Sequence, residues 1–92
     1  MERRRLTADE ISEGLRQLDG WEERNGWLVR RFKFPDFAAG LAFVNSIGEI
    51  AEAADHHPDI KFGWGYAEVE LTTHDRGGIT ELDIELARQI DA

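Results

Sequence analysis

Apolar residues recur at helical spacing near the start of the chain and indicate a first helix. Ile11, Leu15 and Leu18 fall on one helix face, because positions three and four apart lie one above the other. Thr7 and Glu10 have the spacing of a capping box, in which each side chain satisfies a free backbone amide of the other. The pattern predicts a helix from about residue 8 to Leu18.

A hairpin and a long helix follow. Residues 21–24 and 27–34 flank Asn25-Gly26, a pair typical of a two-residue β-hairpin turn. Pro35-Asp36 ends the second strand and caps a helix that should end near residues 54–55. The face predicted to pack on the sheet consists of Phe37, Leu41, Val44, Ile47 and Ala51.

The rest of the chain repeats the order strand, strand, helix. Residues 60–64 and the alternating run 67–73 predict two strands with a turn at Gly65-Tyr66. Thr80 and Asp83 form a variant capping box for a last helix that runs to about residue 90. The order α-β-β-α-β-β-α predicts an α+β fold, a four-stranded antiparallel sheet with helices on one face, formed by a single domain over residues 1–92.

Composition and charge limit the class of protein. The 92 residues include no cysteine, which predicts a small domain without disulfides, and its limited core favours homo-oligomerisation. No apolar run could span a bilayer, so we expect a cytoplasmic protein without a membrane partner. The net charge of −8 lies in residues 49–92, which hold eleven acidic and three basic side chains, and this disfavours direct nucleic-acid binding.

All three histidines lie in two short loops. His56 and His57 follow the long helix, and His74 follows the fourth predicted strand. Imidazole is the side chain whose unperturbed pKa, about 6.5, lies near neutrality, and loops on a rigid scaffold commonly carry active groups. An acid–base site is therefore the leading hypothesis. Glu52, one helical turn before His56, is expected to orient it without contacting a substrate.

A spaced pattern runs through this half of the chain: Glu52, three residues, His56-His57-Pro58, five residues, Trp64, nine residues, His74, eight residues and Asp83. It resembles the pattern of the pterin-4a-carbinolamine dehydratases. Other stretches similar to that family extend the resemblance over nearly the whole chain: Gly20-Trp21, Phe32-Lys33-Phe34, Asp36-Phe37 and Gly78-Ile79-Thr80-Glu81.

The resemblance implies the same fold, dimers or tetramers, and a reaction without a metal or organic cofactor. Water leaves a 4a-hydroxytetrahydropterin, and the quinonoid dihydropterin that forms is recycled for aromatic amino-acid hydroxylases. The elimination takes a proton from a ring nitrogen and expels hydroxide from the adjacent carbon. One imidazolium can protonate the hydroxide while another group accepts the ring proton, each transfer being worth about 10²–10⁴-fold.

The resemblance also assigns the site. Catalytic residues are expected at His56, His57, His74 and Asp83, with His56 and His74 moving the protons and His57 holding the ring. No metal ligand is expected. The expected substrate-binding residues are Asp55, His56, His57, Pro58, Thr72, Thr73, His74, Asp75 and Trp64.

Several of these residues also have a structural explanation. A cation near a helix C-terminus is favoured by about 0.3–1 kcal/mol through the helix dipole, which applies to His56 and His57. Asp83 occupies the capping-box position where an acid belongs for structural reasons alone. Trp64 is of a residue type that serves more often as core than as a ligand platform.

Three other functions stay open. Three histidines and a carboxylate could bind zinc, although adjacent histidines diverge in direction. The chain could act as an interaction or dimerisation scaffold, since some animal members of the family stabilise a dimeric homeodomain transcription factor. It could also be a dehydratase for another pterin, for example in molybdopterin metabolism.

Overall fold

The computed structural model describes residues 4–91. Within that range the elements follow the predicted order α-β-β-α-β-β-α. The helices are α1 (Ala8–Leu15), α2 (Phe37–Ala54) and α3 (Glu81–Asp91). The strands are β1 (Glu22–Arg24), β2 (Trp27–Lys33), β3 (Asp59–Gly63) and β4 (Tyr66–Leu71), and a short 3₁₀ turn (His74–Arg76) precedes α3.

The four strands form one antiparallel sheet in the order β1-β2-β4-β3. Leu28 lies opposite Leu71, and Ile60 lies opposite Val69, so these four side chains share one face of the sheet. That face packs against apolar residues of the helices and their flanking turns, including Leu6, Leu18, Ile47, Ile84, Leu86 and Ile90. The α+β prediction is confirmed.

The opposite face of the sheet is charged. Glu68 of β4 lies between Arg31 of β2 and Lys61 of β3, so its neighbours on both sides carry the opposite charge. Lys61 also lies 3.4 Å from Glu70. This alternation along β4 explains why the helices cover only the apolar face.

One predicted turn and one predicted helix cap are confirmed. Asn25 and Gly26 both have positive φ values, 54° and 86°, which matches the tight hairpin turn whose twist suits the flanking strands. Asp36 caps α2 by accepting a hydrogen bond of 2.9 Å from the amide of Ala39.

The first helix is shorter than predicted, since it ends at Leu15 and not at Leu18. After Leu15 the chain tightens, and the amides of Gln17 and Leu18 bond the carbonyls three residues back at 3.2 and 3.1 Å. Leu18 is buried nonetheless. The apolar spacing thus predicted which residues pack on the core, with Ile11 and Leu15 partly buried, but not that a tighter turn would bring Leu18 there.

The turn between β3 and β4 is Trp64-Gly65, one residue earlier than predicted, because Gly63 pairs with Tyr66. The second turn residue needs a positive φ, and Gly65 supplies it at 81°. A turn at Gly65-Tyr66 would impose that conformation on a bulky aromatic residue, whose ring here stacks under the guanidinium of Arg31.

The buried face of α2 also differs in part from the prediction. Ile47 and Ala51 are buried, but Phe37 and Leu41 are 45% and 42% exposed. Phe43 packs on the core instead, with its ring 4.5 Å from that of Phe32. Because α2 carries apolar residues on more than one stripe, contact with the sheet decides which stripe is buried.

Candidate active site

Three loops that are distant in sequence meet at one end of the sheet. Since β4 lies between β2 and β3, the residues after β4 have the β1–β2 turn on one side and the loop before β3 on the other. His56 and His57 belong to the loop before β3, and His74 follows β4. The strand order therefore brings all three histidines to the same end of the molecule.

The end of α2 sets the position of the first two histidines. Asp55 adopts the left-handed conformation (φ 51°, ψ 41°), which aspartate enters more readily than most residues. The amide of His56 then donates to the carbonyl of Ala51 at 3.2 Å, the long bond of a Schellman motif. This cap reverses the chain, and Pro58 prevents the helix from continuing.

His56 is fixed by a buried carboxylate on α3. Its Nε2 lies 2.6 Å from Oδ1 of Asp83. The Asp83 side chain is completely buried, and the His56 side chain is 11% exposed. Asp83 Oδ2 accepts two further bonds, from the hydroxyl of Thr73 at 2.8 Å and from the amide of Thr80 at 2.9 Å. Asp83 is thus an acceptor for three groups and has no contact with solvent.

The direction of the bonds around Asp83 can be derived. The Thr73 hydroxyl gives its only proton to Asp83, so its 2.8 Å contact with the Thr80 hydroxyl must use the Thr80 proton. The Thr80 hydroxyl oxygen in turn accepts the amide of Leu82 at 3.2 Å. A directed chain of donors therefore ends on Oδ2 of Asp83, while Oδ1 contacts Nε2 of His56. That bond leaves Nδ1 as the nitrogen of His56 that can exchange a proton with a ligand.

A cavity of about 280 Å³ lies beside this pair, and we call it the histidine compartment. It contains all three histidines and most of the residues expected to bind a substrate. Its lining consists of Asp55, His56, His57, Thr72, Thr73, His74 and Asp75. Asp83 does not line it, but it bonds His56 and Thr73, which do.

Glu52 contacts a different histidine from the one expected. Its Oε2 lies 2.5 Å from Nε2 of His57, and both side chains are more than half exposed. His56 already has Asp83 as its partner. The i, i+4 spacing predicted a contact on a continuing helix, but the left-handed residue Asp55 turns His56 away from that face.

Trp64, expected to line the pocket, lies at the other end of the sheet. It sits in the β3–β4 turn and is 71% exposed. The five-residue strand β3 separates it from the histidines, a distance of about 16 Å at the usual rise per residue. Pro58 likewise does not line the histidine compartment, and it connects His57 to the start of β3.

The sequence patterns did not point to Trp27, which contacts the site from the first hairpin. Its ring meets that of His74 edge to face, with 5.4 Å between the ring centroids. Thr72 also bonds this hairpin, through a 2.8 Å hydrogen bond from its hydroxyl to the carbonyl of Gly26. The Asn25-Gly26 turn was recognisable, but the contact between Trp27 and His74 depends on strand order, which the patterns did not give.

Neither a metal cluster nor a membrane span is found in residues 4–91. No group of three or more histidine, aspartate or glutamate side chains there is arranged to hold a metal ion. None of the helices in that range has the length and apolar character needed to cross a bilayer.

Comparison with known proteins relates this arrangement to one family. The model of the pterin 4 alpha carbinolamine dehydratase family matches residues 4–92. A relative from Metallosphaera sedula is 44% identical over 87 residues, which cover 95% of this chain and 91% of the relative. One from Mycobacterium sp. (strain KMS) is 48% identical over 86 residues, 94% of this chain and 92% of the relative. Both take their names from the same dehydratase.

Two solved structures share the fold. One, described as a transcriptional coactivator/pterin dehydratase from Brucella melitensis, is 40% identical, with a TM-score of 0.91 and 95% of each chain covered. The other is described as a pterin dehydratase-like protein identified as a RuBisCO assembly factor in the alpha-carboxysome. It is 25% identical, with a TM-score of 0.63, and the match covers 77% of this chain and 82% of that one.

Proposed function

This chain belongs to the pterin 4 alpha carbinolamine dehydratase family, a family of hydro-lyases, and from that premise we propose its substrate and mechanism. The substrate is a 4a-hydroxytetrahydropterin, and the product is the quinonoid dihydropterin that can be recycled for aromatic amino-acid hydroxylases. The protein catalyses the loss of water by acid–base chemistry with its own side chains. The observation that carries this proposal is the buried His56–Asp83 pair beside a cavity that also holds His57 and His74.

His56 is proposed to transfer one of the two protons. Its Nε2 is held by Asp83, so the orientation of the ring is set before a substrate binds. Asp83 itself is a positioning residue, because it is fully buried and its oxygens are already used by three donors.

His74 is proposed to transfer the other proton. Like His56 it lines the histidine compartment, but it comes from the opposite loop. A pterin ring bound between the two histidines could therefore lose its N–H proton to one imidazole while the departing hydroxide takes a proton from the other. Each of these transfers is worth about 10²–10⁴-fold, and without the second, hydroxide remains a poor leaving group.

The remaining lining residues are proposed to bind the pterin ring. The amino-pyrimidinone edge of a pterin offers adjacent donors and acceptors. Asp55, Asp75 and Thr72 present short polar side chains on the two loops that could pair with that edge. His57 is held by Glu52 and can hold the ring from the exposed side.

Self-association is proposed to involve α2. Phe37 and Leu41 are large apolar side chains left exposed on this helix, and contiguous apolar surface of this kind commonly marks a protein contact. A second copy of this chain is the proposed partner, as in the dimers or tetramers implied by the family resemblance. Sedimentation equilibrium with Leu41→Glu tests it: a fall in mass relative to wild type is expected, and an unchanged mass would contradict it.

The decisive experiment follows the ultraviolet-monitored decay of freshly generated 4a-hydroxytetrahydropterin with wild-type protein, His56→Ala and His74→Ala. We expect the wild type to accelerate the decay and each variant to lose about 10²–10⁴-fold of that acceleration. Glu49→Gln, on the exposed surface of α2, is the control and should behave as wild type. A folded wild-type protein that does not accelerate the decay would contradict the proposal. It would favour another pterin substrate or a scaffold function.

A further inference from the structure

A second cavity adjoins the histidine compartment and shares a wall with it. This hairpin compartment has a volume of about 220 Å³. Thr72 and His74 line both cavities. The other lining residues come from the β1–β2 turn and from the loop after the 3₁₀ turn: Asn25, Gly26, Trp27, Gly77 and Gly78.

The hairpin compartment is held together by bonds between its walls. The hydroxyl of Thr72 bonds the carbonyl of Gly26 at 2.8 Å, which ties the hairpin turn to the end of β4. Gly78 and Thr73 exchange backbone bonds of 3.0 and 3.4 Å, which fix the far wall. The Trp27 ring is held against His74. The space is therefore part of the folded structure and not a gap between independent loops.

The volumes of the two compartments suggest that one ligand occupies both. Small-molecule sites usually measure about 300–1,000 Å³, and each compartment alone falls below that range. Because Thr72 and His74 line both, the two compartments lie side by side, and a single ligand could occupy both. A ligand that fits has a head bound among the histidines and a substituent that passes His74 toward Trp27.

We propose that Trp27 and the hairpin compartment receive the substituent at carbon 6 of the pterin ring, and that Trp27 determines which substituents are accepted. This inference rests on the proposed function, since it takes the pterin head to lie in the histidine compartment. It adds a residue and a cavity that neither the sequence patterns nor the family resemblance assigned.

The chemistry of the lining selects the kind of substituent. Apart from His74, no residue lining the hairpin compartment has an ionisable side chain. The lining instead offers an indole face, the Asn25 amide, the Thr72 hydroxyl and glycine backbone. The guanidinium of Arg5 approaches Gly77 but does not line the cavity. A short, uncharged, hydroxyl-bearing chain fits this lining, whereas the lining offers a phosphate no lysine or arginine.

The competing explanation is that Trp27 acts only by holding the ring of His74. The two explanations differ in what they predict for kinetics. If Trp27 only positions His74, its removal slows the chemical step for every pterin. If Trp27 binds the substituent, its removal raises KM for substrates that carry the long chain and spares those that lack it.

The test compares two 4a-hydroxytetrahydropterins that differ at carbon 6, one with a methyl group and one with a dihydroxypropyl chain. Trp27→Ala is expected to raise KM about tenfold for the dihydroxypropyl substrate, with kcat within twofold, and to change KM for the methyl substrate less than twofold. Trp27→Phe, which keeps an aromatic face, should recover most of the selectivity. Trp64→Ala removes a tryptophan that lines neither compartment and should leave the ratio of the two KM values unchanged.

Equal loss for both substrates, or a change of selectivity in Trp64→Ala, would overturn the assignment. Failure of the proposed function gives a different result, since wild-type protein would then dehydrate neither substrate. Calorimetric titration with the two corresponding stable oxidised pterins separates the cases. Tighter wild-type binding of the dihydroxypropyl compound, lost in Trp27→Ala, supports the hairpin compartment even without turnover. Equal binding of the two compounds by wild type would overturn it.

Discussion

Two helices of this protein begin with the same local arrangement and use it differently. Thr7 precedes α1, and Glu10 lies in the first turn of that helix. In the same way Thr80 precedes α3, and Asp83 lies in its first turn. In both, a carboxylate three residues into the motif accepts the amide of the threonine, at 2.9 Å in each case. In both, the carboxylate also accepts a bond from a partner outside the motif.

The external partner is what distinguishes the two motifs. Glu10 accepts hydrogen bonds of 2.8 Å from both terminal guanidinium nitrogens of Arg4, on the protein surface and only six residues away in sequence. Asp83 bonds His56, 27 residues away, in the interior. The same bond from a threonine amide to a carboxylate therefore caps a helix on the surface in one place and, in the other, also holds a histidine of the candidate active site. Local sequence sets the cap, whereas burial and the long-range partner set its use.

The largest expected difference comes from removing each carboxylate. Asp83→Ala leaves His56 and two buried donors without their acceptor and should lower the free energy of unfolding by about 3–5 kcal/mol, as breaking a buried pair does. Glu10→Ala exposes its former partners to water and should cost far less. Urea unfolding of both variants measures the two losses.

If Asp83→Ala does not fold, Asp83→Asn keeps the shape and an acceptor oxygen while removing the charge. It should unfold at lower urea than wild type, and it should slow the dehydration by weakening the hold on His56. Losses of equal size in Glu10→Ala and Asp83→Ala would remove the distinction between the two helix starts.

Exchanging the two acids tests the fit of each site. Asp83→Glu adds a methylene where the side chain is completely buried and should cost up to about 3 kcal/mol. It should also slow the dehydration, because the carboxylate can no longer bond both His56 and Thr80 in the same geometry. Glu10→Asp is the matched exchange on the surface and should leave both unfolding and turnover close to wild type. Unchanged turnover in Asp83→Glu would argue against a positioning role for Asp83.

Replacing the threonine at each helix start should give a smaller difference between the two sites, again in stability and in turnover. Thr80→Val removes the acceptor for the Leu82 amide and the donor to Thr73, and should lower the free energy of unfolding by about 1–2 kcal/mol. Thr7→Val removes the acceptor for the Glu10 amide and should cost about 1 kcal/mol. Only Thr80→Val should also slow the dehydration, since Thr80 supports Asp83 through Thr73. Thermal unfolding and the dehydration assay measure the two effects, and slower turnover in Thr7→Val would contradict this account.

Most of the fold could be predicted from local signals. Asn25-Gly26, Asp36 and the threonine-led caps each act within a few residues, and the structure has each where the sequence indicated. The end of α1 and the buried stripe of α2 could not be predicted in the same way. Both depend on packing against the sheet, as the contact of Phe43 with Phe32 illustrates.

The candidate site was predictable to the extent that its residues share a motif. The histidines and the polar residues beside them line one cavity. Two tryptophans show the limit of this prediction. Trp64 belongs to the motif but lines neither cavity, whereas Trp27 lies outside the motif and lines the hairpin compartment. Which loops become neighbours depends on the placement of β4 between β2 and β3, and no local pattern encodes that order.

The smallest expected effect is the pH dependence of the surface cap. The Arg4 guanidinium, and then the Thr7 amide, lower the pKa of Glu10 from 4.5 to about 2. A carboxyl whose pKa is depressed in the folded state stabilises the fold above its unfolded pKa and loses that contribution as pH falls through the folded value. The difference in stability between wild type and Glu10→Gln should therefore be fully present at pH 6 and shrink between pH 4.5 and 2. Urea unfolding across this range measures it, with Glu49→Gln as the control. The Glu10 carboxyl resonance should show no titration midpoint near pH 4.5, and such a midpoint would show that the pair with Arg4 does not hold in solution.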